Sequence, residues 1–431
     1  MPVEEDPRSV SVGQRKAQCC IAGGGPAGMM LGLLLARAGV EVVVLEKHAD
    51  FLRDFRGDTI HPSTLEVIHE LGLLEEFLKL PHQEIEELRV VVGGFEVTLA
   101  DFRHLPTRCR FTALLPQWDF LDFLENQARL YPTFRMRMDA EVTGLLHDGD
   151  EVAGVRVRTP EGPLEVRAPL VVGADGRDST MRALSGLPVR DLGAPMDVFW
   201  MRISRKESDP SVPLGRIEGG HILVMIHRGD YWQCGYVIPK GVSDVIRARG
   251  IEAFRNEIAL VAPFLDDRIL ELRSWDDVKL LSVRVDRLDC WHRPGLICIG
   301  DAAHAMSPVG GVGINLAIQD AVALANVVAG PLREGTLSSE HLRRVQSRRS
   351  VPTRLTQWMQ LFLQNNIIGP TLGSPEPVTP PLPVRLLARW PWLRRIPARL
   401  AGMGIRPEHV RSRPSLPISE GSPRPAPPPG H

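Results

Sequence analysis

Ile21-Ala22-Gly23-Gly24-Gly25-Pro26-Ala27-Gly28 decides how the rest of this chain is read. Gly23, Gly25 and Gly28 form G-x-G-x-x-G. An apolar stretch precedes them, a helical run to Gly39 follows, and Val42-Val43-Val44-Leu45-Glu46 reads as the next strand. This is the spacing of a strand, a tight turn and a helix whose N-terminus faces a pyrophosphate. A Cβ at either of the first two glycines would block the turn and the approach of phosphate oxygens, while Gly28 lets helix and strand pack closely. Pro26 stands where a first-turn proline loses no hydrogen bond, and Ala27 separates it from the third glycine. Eighteen residues beyond Gly28, Glu46 closes the second strand, followed by Lys47. Its carboxylate can accept from both hydroxyls of an adenosine ribose and would repel a 2′-phosphate. The expectation is a dinucleotide site for FAD or NAD, and not NADP.

The remaining composition narrows the class. A chain of 431 residues exceeds one ordinary core, so two or three domains are expected. A net charge of −1 argues against a bulk polyanion, and nucleic acid is excluded as a partner. Six cysteines show no C-x-x-C and no framework spacing, which fits a reducing compartment and removes the redox disulfide of the disulfide reductases. The acidic start at Glu4, Glu5 and Asp6 lacks the basic region of a secretory signal, and the apolar run Cys19–Leu45 is interrupted by glycines, Pro26, Arg37 and Glu41. A soluble, cytoplasmic protein is the expectation. No metal-ligand spacing is evident.

Along the chain, Phe51–Asp58 reads as a loop in which Arg56 either reaches a phosphate, if the loop folds back, or is a plain surface arginine, and Ser63-Thr64-Leu65-Glu66 as a capping box opening a helix that stops near Gly72. Pro116-Gln117 precedes a helix over Trp118–Leu130, and three strands follow, Glu141–Leu146, Glu151–Arg158 and Leu164–Val172. The last runs into Gly173-Ala174-Asp175-Gly176-Arg177-Asp178-Ser179-Thr180-Met181-Arg182. In the segment 187–285, His221–His227 and Tyr231–Ile238 read as a hairpin whose alternation puts Trp232, Cys234, Tyr236 and Ile238 on one face, either a pocket wall or, the commoner fate of such a face, a surface packed against a neighbouring layer. Leu296–Ile299 then leads into Gly300-Asp301-Ala302-Ala303-His304. After it come Pro308, Gly310-Gly311-Val312-Gly313 and an apolar helix from Ile314 to Ala329, stopped by Gly330-Pro331, with Asn315, Gln319 and Asn326 on one stripe.

Beyond Arg343 the chain turns basic. Between Pro381 and Arg413 there are eight arginines against the single acid Glu408, interleaved with Leu386, Leu387, Trp390, Trp392, Leu393 and Leu400. The segment reads as a helical cap on the body or as a peripheral, membrane-facing helix. Ser412–His431, rich in proline and serine, reads as disordered.

Three motifs in this order and spacing resemble the single-component flavoprotein aromatic hydroxylases, the family with the p-hydroxybenzoate hydroxylase fold. They are the glycine turn with Glu46, the Asp175-Gly176 turn with Ser179 and Arg182, and the Gly300-Asp301 turn with Pro308, Gly310, Gly311, Gly313 and Asn315. The resemblance covers about residues 17–330 and departs at Val312, where many members carry glutamine. It implies an α/β protein: an FAD-binding, Rossmann-like (GR2-type) domain, an inserted sheet-rich substrate domain and a helical C-terminal segment. The expected divisions are a flexible lead-in at 1–16, FAD-binding parts at 17–81, 116–186 and 286–343, substrate-domain parts at 82–115 and 187–285, a basic helical segment at 344–411 and a tail at 412–431.

By the same resemblance, Asp301 would bond a ribityl hydroxyl of FAD, and the backbone of Gly311, Val312, Gly313, Ile314 and Asn315 would lie against the pyrimidine end of the flavin. Pro308 would form part of the front wall, while Arg56 and Gln117 would reach the phosphates and the flavin side. Asp175 and Gly176 are implicated in FAD and reduced nicotinamide interactions. The glycine turn at Gly313 opens a helix, and a helix N-terminus suits the anion that a reduced flavin becomes.

The implied activity is that of a monooxygenase. FAD is reduced by NADH or NADPH, a transient co-substrate, and reacts with O2 to a C4a-hydroperoxide. One oxygen atom then passes to an aromatic, quinone-like, polyketide-like or other lipophilic small molecule by hydroxylation or epoxidation. No catalytic side chain is assigned. His61, His227 and Tyr236 are candidates to assist deprotonation of a phenol, and His61, Trp232, Tyr236 and Pro308 to line the substrate pocket. Competing readings are a flavin-dependent reductase or dehydrogenase of a lipophilic substrate and a non-catalytic flavin-bound redox partner. A halogenase is disfavoured, because Trp390-Pro391-Trp392-Leu393-Arg394-Arg395-Ile396-Pro397 only approaches W-x-W-x-I-P.

Overall fold

Four short, wholly buried strands lie side by side in parallel and end in one row: Leu296–Cys298, Leu170–Gly173, Cys19–Ala22 and Val42–Leu45. In the computed structural model, which describes residues 13–52, 59–209, 215–372, 380 and 382–415, Cys298 pairs with Gly173, Gly173 with Ala22, and Ala22 with Leu45. Sequences such as Val42-Val43-Val44-Leu45 are apolar without alternation because both faces of a parallel sheet are covered. Phe134–Arg137 extends the sheet at one edge in parallel and His292–Arg293 at the other in antiparallel.

Helix Pro26–Arg37 packs against helices Gln117–Ala128 and Gly313–Glu334, and strand Glu151–Thr159 of a second, four-stranded sheet lies against Leu170–Gly173. The register has a direct consequence for function. Gly23, Glu46, Ala174-Asp175 and Ile299-Gly300 all leave the carboxyl ends of adjacent strands, which is where open parallel sheets bind ligands.

A seven-stranded sheet makes the other large layer, in the order Lys279–Leu281, Met196–Ser204, Tyr231–Pro239, His221–His227, Gly215–Glu218, Glu87–Val92, Phe95–Asp101. Gly93-Gly94 turns its last hairpin. One face is closed by helix Ile251–Val261, and the other meets the segment after Gly300-Asp301 through Val309.

Several local expectations are corrected. Leu164–Val172 is two strands in two sheets, Gly162–Arg167 and Leu170–Gly173. Pro169 between them has no N–H to offer a ladder. The helix after Gly313 passes through Gly330-Pro331 and ends at Glu334, where Gly335 (φ 67°) takes the left-handed cap. At the start of helix Pro62–Glu70 the N-cap is His61, not Ser63, so no capping box forms; Glu66 instead accepts from the Arg108 amide at 3.1 Å.

Both ends differ too. Gly13–Lys16 of the expected lead-in is a strand paired in parallel with Leu164–Arg167. Residues 412–415 of the expected tail dock on the first helix, the Arg37 guanidinium donating to the Ser412 carbonyl at 2.9 Å and the Ser415 amide to the Arg37 carbonyl at 3.1 Å. The rest of the expected tail lies outside the described residues.

Candidate active site

Helix Pro26–Arg37 begins at Gly25 and helix Gly313–Glu334 at Val312-Gly313, and neither N-terminus is capped by a side chain. The first-turn N–H groups of both are therefore donors without a side-chain partner. The three glycines of the first turn divide their roles. A Cβ on Gly23 (φ 109°) would overlap the Ala174 carbonyl, and one on Gly28 would overlap the Gly23 carbonyl. One on Gly25 would meet nothing within 4 Å. Gly23 and Gly28 are thus required by packing, whereas Gly25 borders open space at the helix N-terminus. Pro26 takes the first helical position and Ala27 is buried.

The three motifs meet. Gly300 is wedged between the two helices: a Cβ there would lie 3.3 Å from that of Ala27 and 3.2 Å from that of Ala317. Asp301 accepts from Arg177 Nε at 3.1 Å, tying the Gly300-Asp301 turn to the Asp175-Gly176 turn. Within that turn both Asp175 oxygens are engaged, by Ser179 Oγ at 2.5 Å and the Met181 amide at 3.0 Å, and burial pushes its carboxyl up from the usual range. Gly176 takes φ 84° with open space beside it. Buried Glu46 accepts from the Gly24 amide at 2.9 Å and the His48 amide at 3.1 Å, so the acid after the second strand fixes the glycine turn itself. Lys47 is exposed.

At the other helix, Asn315 is buried. Its Oδ1 accepts from Thr64 Oγ1 at 2.6 Å and from the His61 amide at 3.2 Å, while its Nδ2 is buried without a partner. A buried amide donor left open beside an uncapped helix N-terminus is the donor set an anionic heterocycle edge needs. Val312 and Ile314 are buried; Gly311 abuts Thr59, and Pro308 is half-buried. Gln117 is half-buried in the first turn of its helix. Arg56 lies outside the described residues.

Beneath Gly300 runs an ionic network that sequence reasoning missed. Asp320, fully buried, accepts from the Gly300 amide at 3.1 Å, from His304 Nε2 at 2.6 Å and from Arg349 Nε at 2.9 Å. Burial alone would raise its pKa; the neighbouring His304 and the Arg349 guanidinium, with their hydrogen bonds, outweigh it, and the carboxyl is held below its usual range. Asp320, the one acid between Ile314 and Ala329 of a mainly apolar run, was the available signal.

The pocket and deprotonation candidates are distributed over two places. Trp232 and Tyr236 lie on the face of the large sheet turned away from Pro308, in a cluster with Phe254 and Ile258 of helix Ile251–Val261. Trp232 Nε1 donates to Asp209 at 2.9 Å, and the Tyr236 hydroxyl donates to Glu257 at 2.8 Å. Desolvation, together with Glu257, pushes that phenol far up, so it is no base. His227 packs edge-on to Trp232 on the same side. His61 is next to the motif but engaged by the backbone. Its Nε2 lies 3.1 Å from the Gly310 carbonyl, which can only accept, so Nε2 carries the proton; burial lowers its pKa to about 4, against the Gly310 and Gly311 backbone bonds. The sheet face that does meet the loop carries Met196, Val198, Ile222 and Val237, with Trp200 and Val309 packed against them.

A fold with its ligand turns at the ends of parallel strands, two open helix N-termini and an apolar sheet face opposite them defines a flavin-dependent oxidoreductase. Residues 16–359 match the family described as FAD binding domain, and the chain belongs to that family. It is similar to the 6-methylpretetramide 4-monooxygenase of Streptomyces rimosus, 33% identical over 384 residues, 89% of this chain and 91% of that protein. It is also similar to the rifampicin monooxygenase of Streptomyces venezuelae, 30% identical over 75% of this chain and 67% of that protein. Among solved structures, the OxyS anhydrotetracycline hydroxylase of S. rimosus superposes with a TM-score of 0.71 at 25% identity, covering 90% of this chain and 76% of that one. The chain is thus an FAD-dependent monooxygenase of the aromatic hydroxylase type.

Proposed function

We propose that this enzyme uses NADH or NADPH and O2 to place one oxygen atom on a fused-ring aromatic of polyketide type. The observation that carries the reading is the facing of an apolar sheet surface, Met196, Val198, Ile222 and Val237, by the Pro308-Val309 loop that follows the Gly300-Asp301 turn. Such a surface selects a flat lipophilic molecule by burial and offers no charged anchor. The relatives named for pretetramide and anhydrotetracycline oxidation support that substrate class.

Bound FAD supplies hydride acceptance and activation of dioxygen. The chain's own groups do the rest. Gly25 and the N–H groups of the first helix would hold the pyrophosphate, with Lys47 beside the same half of the cofactor. Glu46 holds the turn and the ribose edge, and Asp301 meets the ribityl chain. The Gly313–Asn315 N–H groups with Asn315 Nδ2 stabilise negative charge at the pyrimidine end. The Asp175-Gly176 turn and Gln117 border the nicotinamide and flavin sides, and Pro308 and Val309 keep water from the reacting face.

The test is NAD(P)H oxidation by the purified yellow protein across simple phenols, naphthoquinone precursors and tetracyclic aromatics. Stimulation of about tenfold or more, ~1.4 kcal/mol of barrier, by the fused-ring members alone is the expected result. Product formed without oxygen would overturn it in favour of a reductase.

The partner surface is proposed to include an anionic bilayer. Leu382, Trp390, Trp392 and Ile396 are exposed beside Arg385, Arg389, Arg395 and Arg399. An apolar face fringed by arginine suits the lipid interface. Sedimentation with phosphatidylglycerol vesicles but not phosphatidylcholine vesicles, lost in Trp390→Ser/Trp392→Ser, is expected. Equal recovery in both supernatants contradicts it. The six cysteines are unpaired, which supports a reducing, cytoplasmic location.

A further inference from the structure

Helix Ser339–Leu363, with its continuation Gln364–Ile368, is built inside out. Val351, Leu355, Trp358 and Phe362 are exposed, while Gln357, Gln360 and Gln364 are 0%, 2% and 0% exposed. Burying three primary amides is unfavourable unless each finds partners. Their Nε2 groups find acceptors at Asp286 and along residues 305–309, while Gln360 Oε1 and Gln364 Oε1 are buried without a partner. Gln357 Nε2 donates to the Asp286 carbonyl at 2.8 Å and the Ala305 carbonyl at 3.1 Å. Gln360 Nε2 donates to the Ser307 carbonyl at 3.0 Å and the Val309 carbonyl at 2.9 Å, and Gln364 Nε2 to Ser307 Oγ at 2.6 Å. Arg349, two turns earlier on the helix, reaches Asp320, which holds the Gly300 amide. Ile368, one turn past Gln364, packs in the same apolar cluster as Val309.

We infer that Gln357, Gln360 and Gln364 are positioning residues: a row of amides that sets the path of Ala305–Val309 and so holds Pro308 and Val309 against the flavin. The inference rests on the proposed placement of FAD. Spacings of three and four residues bring the amides to one helix face, and their targets are backbone carbonyls, which an aliphatic side chain of equal size cannot engage. An interior amide donating to two carbonyls two residues apart holds the Ser307–Pro308 and Val309–Gly310 peptide planes, which bracket Pro308 and Val309. Without it the loop has no other side-chain donor to those two oxygens among the described residues.

The test uses the full-length holoprotein. Iodide quenching of bound FAD fluorescence reads solvent access to the flavin, and titration with FAD reads affinity. Gln360→Met keeps volume and removes both bonds; Gln364→Met removes one and is the milder second variant. Gln346→Met is the control, because Gln346 lies on the same helix but bonds the Trp291 amide and the Asp289 carbonyl.

The expected result is a several-fold larger quenching constant in Gln360→Met and a smaller rise in Gln364→Met, with FAD affinity within about twofold, ~0.4 kcal/mol, and no rise in Gln346→Met. Quenching unchanged in both loop-facing variants, or raised equally in the control, overturns the inference. A wild-type chain that takes up no FAD would instead defeat the cofactor placement, and the two failures are told apart by the colour of the wild type.

Discussion

At Gly25 the backbone is extended (φ −74°, ψ −176°) and a Cβ would point into open space, so a side chain there leaves the fold intact and obstructs only what binds. Gly25→Val is expected to melt within a few degrees of wild type and to bind FAD about a hundredfold more weakly, ~3 kcal/mol, read by fluorescence titration. Gly28→Ala drives a methyl into the Gly23 carbonyl and should cost about 2–3 kcal/mol in urea unfolding. Equal behaviour of the two would refute the division of labour.

His61 gives a pH signature. Its folded pKa of about 4 lies below the ordinary 6.5, so the unfolded state binds the extra proton first. Its contribution is whole above pH 6.5 and is lost as pH falls toward 4, on the order of 3 kcal/mol. Urea unfolding of His61→Gln should show a shallower acid-side loss; an identical profile would contradict the assignment. The glycines and Glu46 were legible because their spacing is imposed by a ligand's shape. Trp232 and Tyr236 share a face, as alternation predicts, but alternation says nothing of whether that face meets the site or a packed layer, and here it meets helix Ile251–Val261.

Among the elements, the two long helices after Gly313 differ most from a reading by pattern. Helix Gly313–Glu334 runs through Pro331 because tertiary packing outweighs one lost hydrogen bond near its end. Helix Ser339–Leu363 hides glutamine and arginine and shows tryptophan and phenylalanine, so a rule that faces apolar residues inward misorients it. Its buried Arg349 is paired with Asp320 and lies 3.7 Å from Glu408, all three nearly without exposure. Removing one partner of a buried pair leaves the other charge without its compensation. Arg349→Met is therefore expected to lose about 3–5 kcal/mol in urea unfolding. A loss under about 1 kcal/mol would show that His304 alone sustains Asp320.

In the whole molecule, the row of strand ends at Cys298, Gly173, Ala22 and Leu45 brings together the Gly23, Asp175 and Gly300 turns, each more than a hundred residues from the next in the chain. That each turn follows a short apolar strand could be read in advance, although the same pattern merges Leu170–Gly173 with the strand before it. The return of the C-terminal residues could not. Glu408 accepts from Arg348 Nε at 2.6 Å, and the Arg411 amide donates to Asn326 at 2.8 Å; single polar residues in a basic, proline-rich stretch give no pattern to read.

The measurement that bears most directly on the account is oxygen-18 labelling: single turnover of the reduced holoprotein with a tetracyclic aromatic under oxygen-18 gas, followed by mass spectrometry. One heavy oxygen atom in the product is the predicted result. An oxidised product carrying oxygen from water, or made in the absence of the gas, would contradict it.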